Sequence, residues 1–260
     1  PVSGTNDYDF LLPMLHLRYE LSDKSNLRFA YTQSYARPNL ADVVPTQNIN
    51  RADLRLQEGN PQLLPASANN LDLLYERYFK GAGVLSGGVF YKRIENFIFN
   101  QTSVVEGGEF DGYFLDQPVN GDLAEILGVE VNFSRNLDFL PGVLSGLGIY
   151  MNYTFTNSES SFEFLNEDNG SVEVREDVPF IGQADHIWNV ALSYDRGGFS
   201  GRVSLNYKDR SLLSFNSDPS QDFVLDERYQ LDINASQKIN DNLTVFAEFI
   251  NLTNDPIVEF

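Results

Sequence analysis

The stretch Phe199–Lys208 decides the fold class, and it reads FSGRVSLNYK. Apolar or small residues occupy every second position, and polar residues stand between them. Successive side chains of a strand point to opposite faces of its sheet, so this strand has one apolar face and one polar face. The same alternation is clear in residues 27–32, 129–134 and 228–235. The pattern therefore predicts an antiparallel sheet with two chemically different faces.

Ten such segments are predicted along the chain. They cover residues 8–21, 27–35, 69–79, 84–99, 127–136, 147–157, 185–194, 199–208, 227–238 and 243–252. Several are longer than the roughly 5–6 residues that are usual in soluble sheets. They match the roughly 9–11 residues that a tilted strand needs to cross a bilayer.

The connections between these segments alternate in length without exception. Short connections cover residues 22–26, 80–83, 138–146, 195–198 and 239–242, and long ones cover about 36–68, 100–126, 158–184 and 209–226. A soluble antiparallel sheet with one wet face explains the periodicity alone. It does not explain the sorting of the connections, whereas outer-membrane barrels have short periplasmic turns and long extracellular loops. The alternation favours the barrel.

Composition excludes several classes of protein. The chain has 42% hydrophobic residues but a mean hydropathy of −0.28 and no run of 18 apolar residues, so it has no transmembrane helix. Barrel strands remain compatible with these values, because they alternate. A net charge of −19 makes nucleic acid a poor partner. The absence of cysteine excludes disulfides and Cys-ligated metal sites.

The order of short and long connections also gives each strand a direction. The first strand leads into a short turn and the last strand leaves one, so both chain ends lie on the side of the long connections. A sheet with two open edges is prone to aggregation. We therefore expect at least one strand before Pro1 and one after Phe260.

Several stretches resemble segments of TonB-dependent receptors, in the order of that family. Residues 29–38 read FAYTQSYARP, 58–65 read EGNPQLLP, 89–98 read VFYKRIENFI, 128–130 read GVE and 246–254 read FAEFINLTN. The two prolines of the second stretch restrict the backbone, and its glycine, Gly59, allows a positive φ. We therefore expect this stretch to serve loop geometry rather than ligand contact.

The resemblance implies an all-β fold, with about ten antiparallel strands of a transmembrane β-barrel of the roughly 22-strand type. Residues 1–260 would form a partial barrel domain without the plug domain and the final strand. The implied function is the import of a scarce nutrient across the bacterial outer membrane, energised through TonB. A ferric siderophore-type chelate is favoured as the nutrient. The implied partners are this small molecule, the receptor's own plug domain, TonB, and outer-membrane lipid with lipopolysaccharide.

The polar face predicts which residues line the lumen and meet the plug or the substrate path. These candidates are Arg28, Asp72, Glu76, Lys92, Glu130, Asn132, Asn152, Arg202, Asn206, Asp232, Asn234 and Glu248.

Two long connections are rich in acidic residues. Residues 101–122 hold five acids and no base, and residues 158–185 hold eight acids against Arg175. A solvated acidic loop explains this, and so does attraction of a cationic substrate or of divalent ions bridging to lipopolysaccharide. The oxygen-rich stretch 167–170 suits calcium but lacks the spacing of a calcium loop.

No catalytic site, cofactor site or metal site is predicted. The chain has two histidines, His16 and His186, and no zinc-protease, nucleophile-elbow or phosphate-loop motif. His186 beside Trp188 suits an interfacial aromatic position. A passive porin-like channel, an outer-membrane enzyme and a soluble β-sandwich remain as alternatives to the importer.

Overall fold

The computed structural model describes residues 8–166, 171–214 and 222–259. Among these, ten strands follow one another in chain order through one sheet. They are β1 (Met14–Ser22), β2 (Ser25–Ala36), β5 (Ala66–Tyr78), β6 (Gly83–Glu95), β9 (Leu123–Asn136), β10 (Leu147–Asn166), β12 (His186–Arg196), β13 (Phe199–Lys208), β16 (Arg228–Asn240) and β17 (Leu243–Phe249). Each is antiparallel to its neighbours, so the ten form an up-and-down meander. The predicted fold class and strand order are confirmed.

The meander sorts the connections by side. Because every strand pairs with the next one along the chain, the five short turns lie at one end of the sheet and the four long connections at the other. An eleventh strand, β11 (Ser171–Val178), lies within a long connection and pairs with the distal half of β10. Strands β1 and β17 form the two edges of the sheet.

Some predicted strand ends were wrong. The predicted segment 84–99 stops at Glu95, because Asn96 has a φ of 56° that an extended ladder does not accommodate. The last segment stops at Phe249 for the same reason, since Asn251 has a φ of 55°. The first begins at Met14 rather than at residue 8. In contrast, β10 runs on to Asn166, well past the predicted end at residue 157.

The long connections contain strands that the sequence analysis missed. Two connections share a four-stranded sheet of β3 (Gln47–Asn50), β4 (Arg55–Glu58), β8 (Phe114–Asn120) and β7 (Ile98–Val104), in that order. The last long connection contains the antiparallel pair of β14 (Ser211–Ser214) and β15 (Phe223–Leu225). The helices among the described residues are the single turn α1 (Leu40–Val43) and a 3₁₀ helix at Gly142–Gly146. No described helix is long and apolar enough to cross a membrane.

One face of the main sheet is apolar and exposed. Register places Val203 between Leu192 and Ile233, and it places Val89 between Leu73 and Val129. Val203 is 43% exposed, so it does not pack into a closed core. An apolar face that spans ten strands is far beyond what soluble proteins expose to water. It is typical of a membrane-spanning barrel wall.

The buried core is small and lies away from the apolar face. It consists of Phe97, Phe99, Ala124, Val178 and Leu212. Ala124 is on the polar face of β9, because its chain position alternates with the apolar residues of that strand. The other four belong to the long connections or border them. The long connections therefore fold over the polar face at their end of the sheet.

Candidate functional site

All the candidate lumen residues lie on the polar face. Cross-strand register puts each of them on the side of the sheet opposite Val203 and its apolar neighbours. They are Arg28, Asp72, Glu76, Lys92, Glu130, Asn132, Asn152, Arg202, Asn206, Asp232, Asn234 and Glu248. Contact with a plug or a substrate stays a prediction for every one of them.

A few of these residues are brought together. The Nε atom of Arg28 donates to Glu76 Oε2 at 2.8 Å. The side-chain amide of Asn206 donates to Asp232 at 3.4 Å. Arg202 instead lies over the ring of Tyr150, with 5.5 Å from Cζ to the ring centroid. The polar face thus contains local pairs rather than a single cluster.

Other candidates have looser surroundings within the described residues. Lys92 Nζ lies 5.5 Å from the ring centroid of Phe90. Asp72, Glu130, Asn234 and Glu248 make no side-chain hydrogen bond or ion pair to another described residue. Such groups are free to meet water or a partner on that face.

The register reveals an amide row that the sequence analysis missed in part. Asn132, Asn152, Asn189, Asn206 and Gln230 stand directly side by side on β9, β10, β12, β13 and β16. Asn189 Nδ2 donates to Asn152 Oδ1 at 2.8 Å. Asn189 and Gln230 were missed although they alternate with Trp188 and Tyr229, so the period-2 rule was sufficient to find them. Only the register shows that the five form one line.

Each histidine lies on a different face. His16 is on the polar face of β1, opposite Ala30. His186 is on the apolar face, where its Nδ1 is 2.9 Å from the Tyr153 hydroxyl and its ring packs against Phe155. The two imidazoles therefore cannot share a catalytic site.

The Gly59-Asn60-Pro61 stretch joins the first two long connections. Asn60 Nδ2 donates to the carbonyl oxygen of Pro118 at 3.1 Å, and Asn60 N donates to the carbonyl oxygen of Asp42 at 2.6 Å. Gly59 does not adopt the positive φ that a glycine allows. Gly59 is needed because a Cβ atom there would lie 2.1 Å from the carbonyl oxygen of Val44. The motif therefore serves packing within the first long connection and, through Asn60 and Pro118, between the first two connections.

Asn120 completes this junction. Its side chain accepts a hydrogen bond from Leu64 N at 2.8 Å and donates to the carbonyl oxygens of Leu64 and Asn96, both at 2.9 Å. One amide thus ties together the end of the proline-bounded stretch, the β6–β7 junction and β8.

Replacing Asn120 by Ala should destabilise the folded connections by about 1–2 kcal/mol, because a net hydrogen bond contributes about 0.5–1.5 kcal/mol and some of the freed groups regain water. Native-state hydrogen exchange of the Leu64 amide should show faster exchange. The control is Asn100→Ala in β7, because the Asn100 side chain makes no hydrogen bond to another described residue. Equal exchange in both variants would contradict the role of Asn120.

The Asn-Leu-Thr-Asn stretch at 251–254 closes the last strand. Asp232 Oδ1 accepts a hydrogen bond from Asn251 N at 2.9 Å, and Thr253 Oγ1 donates to the carbonyl oxygen of Tyr229 at 2.8 Å. The candidate lumen residue Asp232 therefore holds this turn in place. At the end of the segment 29–38, Arg37 donates a hydrogen bond to the Tyr35 hydroxyl, and this bond raises the pKa of Arg37.

Acidic residues of the long connections are partly paired. Arg55 bonds both carboxylate oxygens of Asp116 at 3.0–3.1 Å, and Arg175 bonds Asp222 at 2.6 Å. The oxygen-rich stretch 167–170 lies outside the described residues. Within the part of the chain that is described, no group of three His, Asp or Glu side chains is placed to hold a metal ion.

A polar cavity of about 530 Å³ opens between the first two long connections. Its wall includes Asp42, Arg55, Glu58, Gly59 and Asp116. It lies beside the junction formed by Asn60 and Asn120. Its size falls in the range of small-molecule sites.

Comparison with known proteins identifies the family. Residues 2–252 match the family model described as TonB dependent receptor-like, beta-barrel. A search of curated proteins found no match. The ferric enterobactin receptor PfeA of Pseudomonas aeruginosa, as the G324V mutant, has a similar structure, with a TM-score of 0.65 and 18% identity over 93% of this chain. The siderophore receptor PirA of Acinetobacter baumannii gives 0.63 and 16% over the same share.

The chain spans only part of these proteins, 34% of PfeA and 36% of PirA. At such identities the likeness shows the fold alone. The family match itself covers nearly the whole chain, and the family consists of outer-membrane receptors rather than enzymes. The chain therefore belongs to the TonB-dependent receptor-like β-barrel family, and it forms membrane-spanning strands of such a barrel in the bacterial outer membrane.

Proposed function

We propose that this chain is part of a receptor that imports a scarce nutrient across the outer membrane, energised through TonB, and that the nutrient is a ferric siderophore-type chelate. The family match supports receptor transport. PfeA and PirA are named as receptors for ferric enterobactin and for siderophores. The chelate is proposed by analogy with those two receptors.

The observation that carries the proposal is the polar face beneath the folded long connections. A continuous amide row crosses five strands there, and the long connections pack against the same face farther along β9, where Phe97 and Val178 cluster with Ala124. A polar wall with a structured cap suits a gated, substrate-selecting route better than a wide water-filled pore.

The remaining partners follow from the two faces. Lipid and lipopolysaccharide would cover the apolar face, and the plug domain would lie against the polar face. The edges β1 and β17 would pair with further strands of a larger barrel, because open edges invite aggregation. Candidates such as Asp72 and Glu130 would then line the path or contact the plug.

The test is iron uptake in a strain that lacks the complete receptor gene. Under iron limitation, we expect slow growth and loss of uptake of a radiolabelled ferric chelate, and both should return with the wild-type gene. A strain without TonB should show the same loss. Normal iron uptake combined with a defect on another nutrient would refute the chelate.

The same uptake measurement distinguishes an active receptor from a porin. A porin conducts passively, so its uptake persists without TonB and rises linearly with the external concentration. A receptor saturates and fails without TonB. Uptake that is independent of TonB would therefore overturn the active-transport proposal.

A further inference from the structure

Two basic residues face each other at the long-connection end of the polar face. Lys208 is the last residue of β13 and Arg228 is the first residue of β16, and the two are directly paired in register. Like charges directly opposite each other destabilise a sheet. This pair stands in a chain with 37 acidic and 18 basic residues, where acidic partners are plentiful.

No carboxylate in the described part of the chain neutralises the pair. Neither Lys208 nor Arg228 forms an ion pair with another described residue. The Nε atom of Arg228 is buried and has no hydrogen-bond acceptor. Buried donors without a partner are rare, and one that belongs to a cation calls for an unseen acceptor.

The pair lines a cavity of about 380 Å³. Asn189, Asn206 and Gln230 of the amide row also line the cavity, but their side-chain amides already donate to Asn152 or Asp232. Leu225 and Ile257 contribute an apolar wall. Asp226 also borders the cavity, where its carboxylate lies 4.0 Å from Arg210. The cavity wall thus holds two cations without an acidic partner among the described residues, and one acid that already has a basic neighbour.

We propose that this cavity is an anion-binding subsite, in which Lys208 and Arg228 hold a carboxylate or phosphate group of a small soluble ligand. An anion there would relieve the repulsion between the two cations and supply the missing acceptor for Arg228 Nε. Guanidinium and ammonium groups form strong charge-assisted bonds with such oxygens. The identification of the ligand with the imported cargo rests on the proposed function, but the anion site itself does not.

The experiment measures anion binding to the complete receptor, purified in detergent and freed of lipopolysaccharide. Citrate and inorganic phosphate are titrated by calorimetry at constant ionic strength. We expect Lys208→Gln combined with Arg228→Gln to weaken citrate binding by at least about tenfold, since two charge-assisted bonds are lost. Asp226→Asn should strengthen binding, because it removes the nearby negative charge.

The control is Lys238→Gln, which makes the same kind of charge change at the opposite end of β16. Lys238 is exposed and paired with Asp241, far along the strand from the cavity. Arg228→Lys keeps the positive charge but loses the Nε donor, so its citrate affinity should lie between those of the wild type and the double variant. For each anion, the affinities of the wild type, the double variant and the control are compared. If neither the citrate affinity nor the phosphate affinity differed among the three proteins, the anion site would be overturned.

The source of the anion is distinguished by competition. A soluble anionic ferric chelate should displace citrate from the wild-type receptor. Displacement by purified lipopolysaccharide but not by the chelate would overturn the assignment to a soluble ligand. The two proposals also fail separately. If citrate does not bind but TonB-dependent uptake is intact, only the anion-binding subsite is refuted. If citrate binds but there is no TonB-dependent uptake, only the transport function is refuted.

Discussion

Replacing Val203 by Arg should lower the free energy of unfolding of the receptor in lipid vesicles by about 2–4 kcal/mol, the cost of a basic residue at the bilayer midplane of a barrel. Val203 is near the middle of β13 and points away from the amide row. It is 43% exposed in the isolated chain, between Leu192 and Ile233. If water covered this face, the same exchange would change stability by no more than about 0.5 kcal/mol.

Ser204→Arg is the matched control for this experiment. Ser204 is the next residue on the same strand, but it lies on the polar face opposite Asp232. An arginine there gains an acidic neighbour and stays in a polar environment, so its cost should be below about 1 kcal/mol. Urea unfolding in vesicles, followed by electrophoretic mobility of the folded form, measures both variants. Similar small costs for the two variants would show that lipid does not cover the apolar face.

Replacing Gly59 by Ala should destabilise the folded first long connection by about 3 kcal/mol, at the upper end of the cost of overpacking. The added Cβ atom would lie 2.1 Å from the carbonyl oxygen of Val44 and 3.1 Å from that of Asp42. Both neighbours are backbone atoms, so no side chain can rotate away. The hydrogen bond from Asn60 N to Asp42 should break with the displacement.

Limited proteolysis of the folded receptor measures this effect. Cleavage within residues 40–65 should become faster in Gly59→Ala, while the membrane-spanning strands stay protected. The control is Gly87→Ala on β6, where the nearest atom to the added Cβ lies 3.8 Å away. That variant should match the wild type. Unchanged cleavage in Gly59→Ala would mean that the backbones of Gly59 and Val44 do not approach each other as closely as described.

The candidate site was predicted unevenly. The period-2 rule placed Arg28, Asp232 and the other candidates on one face, because alternation is a local property of an extended chain. It did not show that Asp232 accepts a hydrogen bond from Asn251 N in the turn after β17. It also did not show that Asn189 and Gln230 lie in the same cross-strand row as Asn152. Those relations depend on cross-strand register, which joins residues far apart in the chain.

The strands within the long connections could not be predicted from the sequence for a related reason. Strands β4 and β8 are short, and they pair in parallel although they belong to different connections. Nothing local marks such a pairing, because its stability comes from contacts such as Arg55 with Asp116. The glycine of the motif was noticed for its freedom of φ, but the structure uses it for a close approach of two backbones.

The sequence by itself determined the number, order and direction of the main strands, the two faces of the sheet and the family. These properties follow from alternation and connection length, which each stretch of chain carries independently of the rest. Only the tertiary structure decided where the strands end, how the long connections fold over the polar face, and that Lys208 meets Arg228. The physical reason is that register, backbone approach and charge pairing are interactions between distant segments, and their free energies exist only once those segments are in contact.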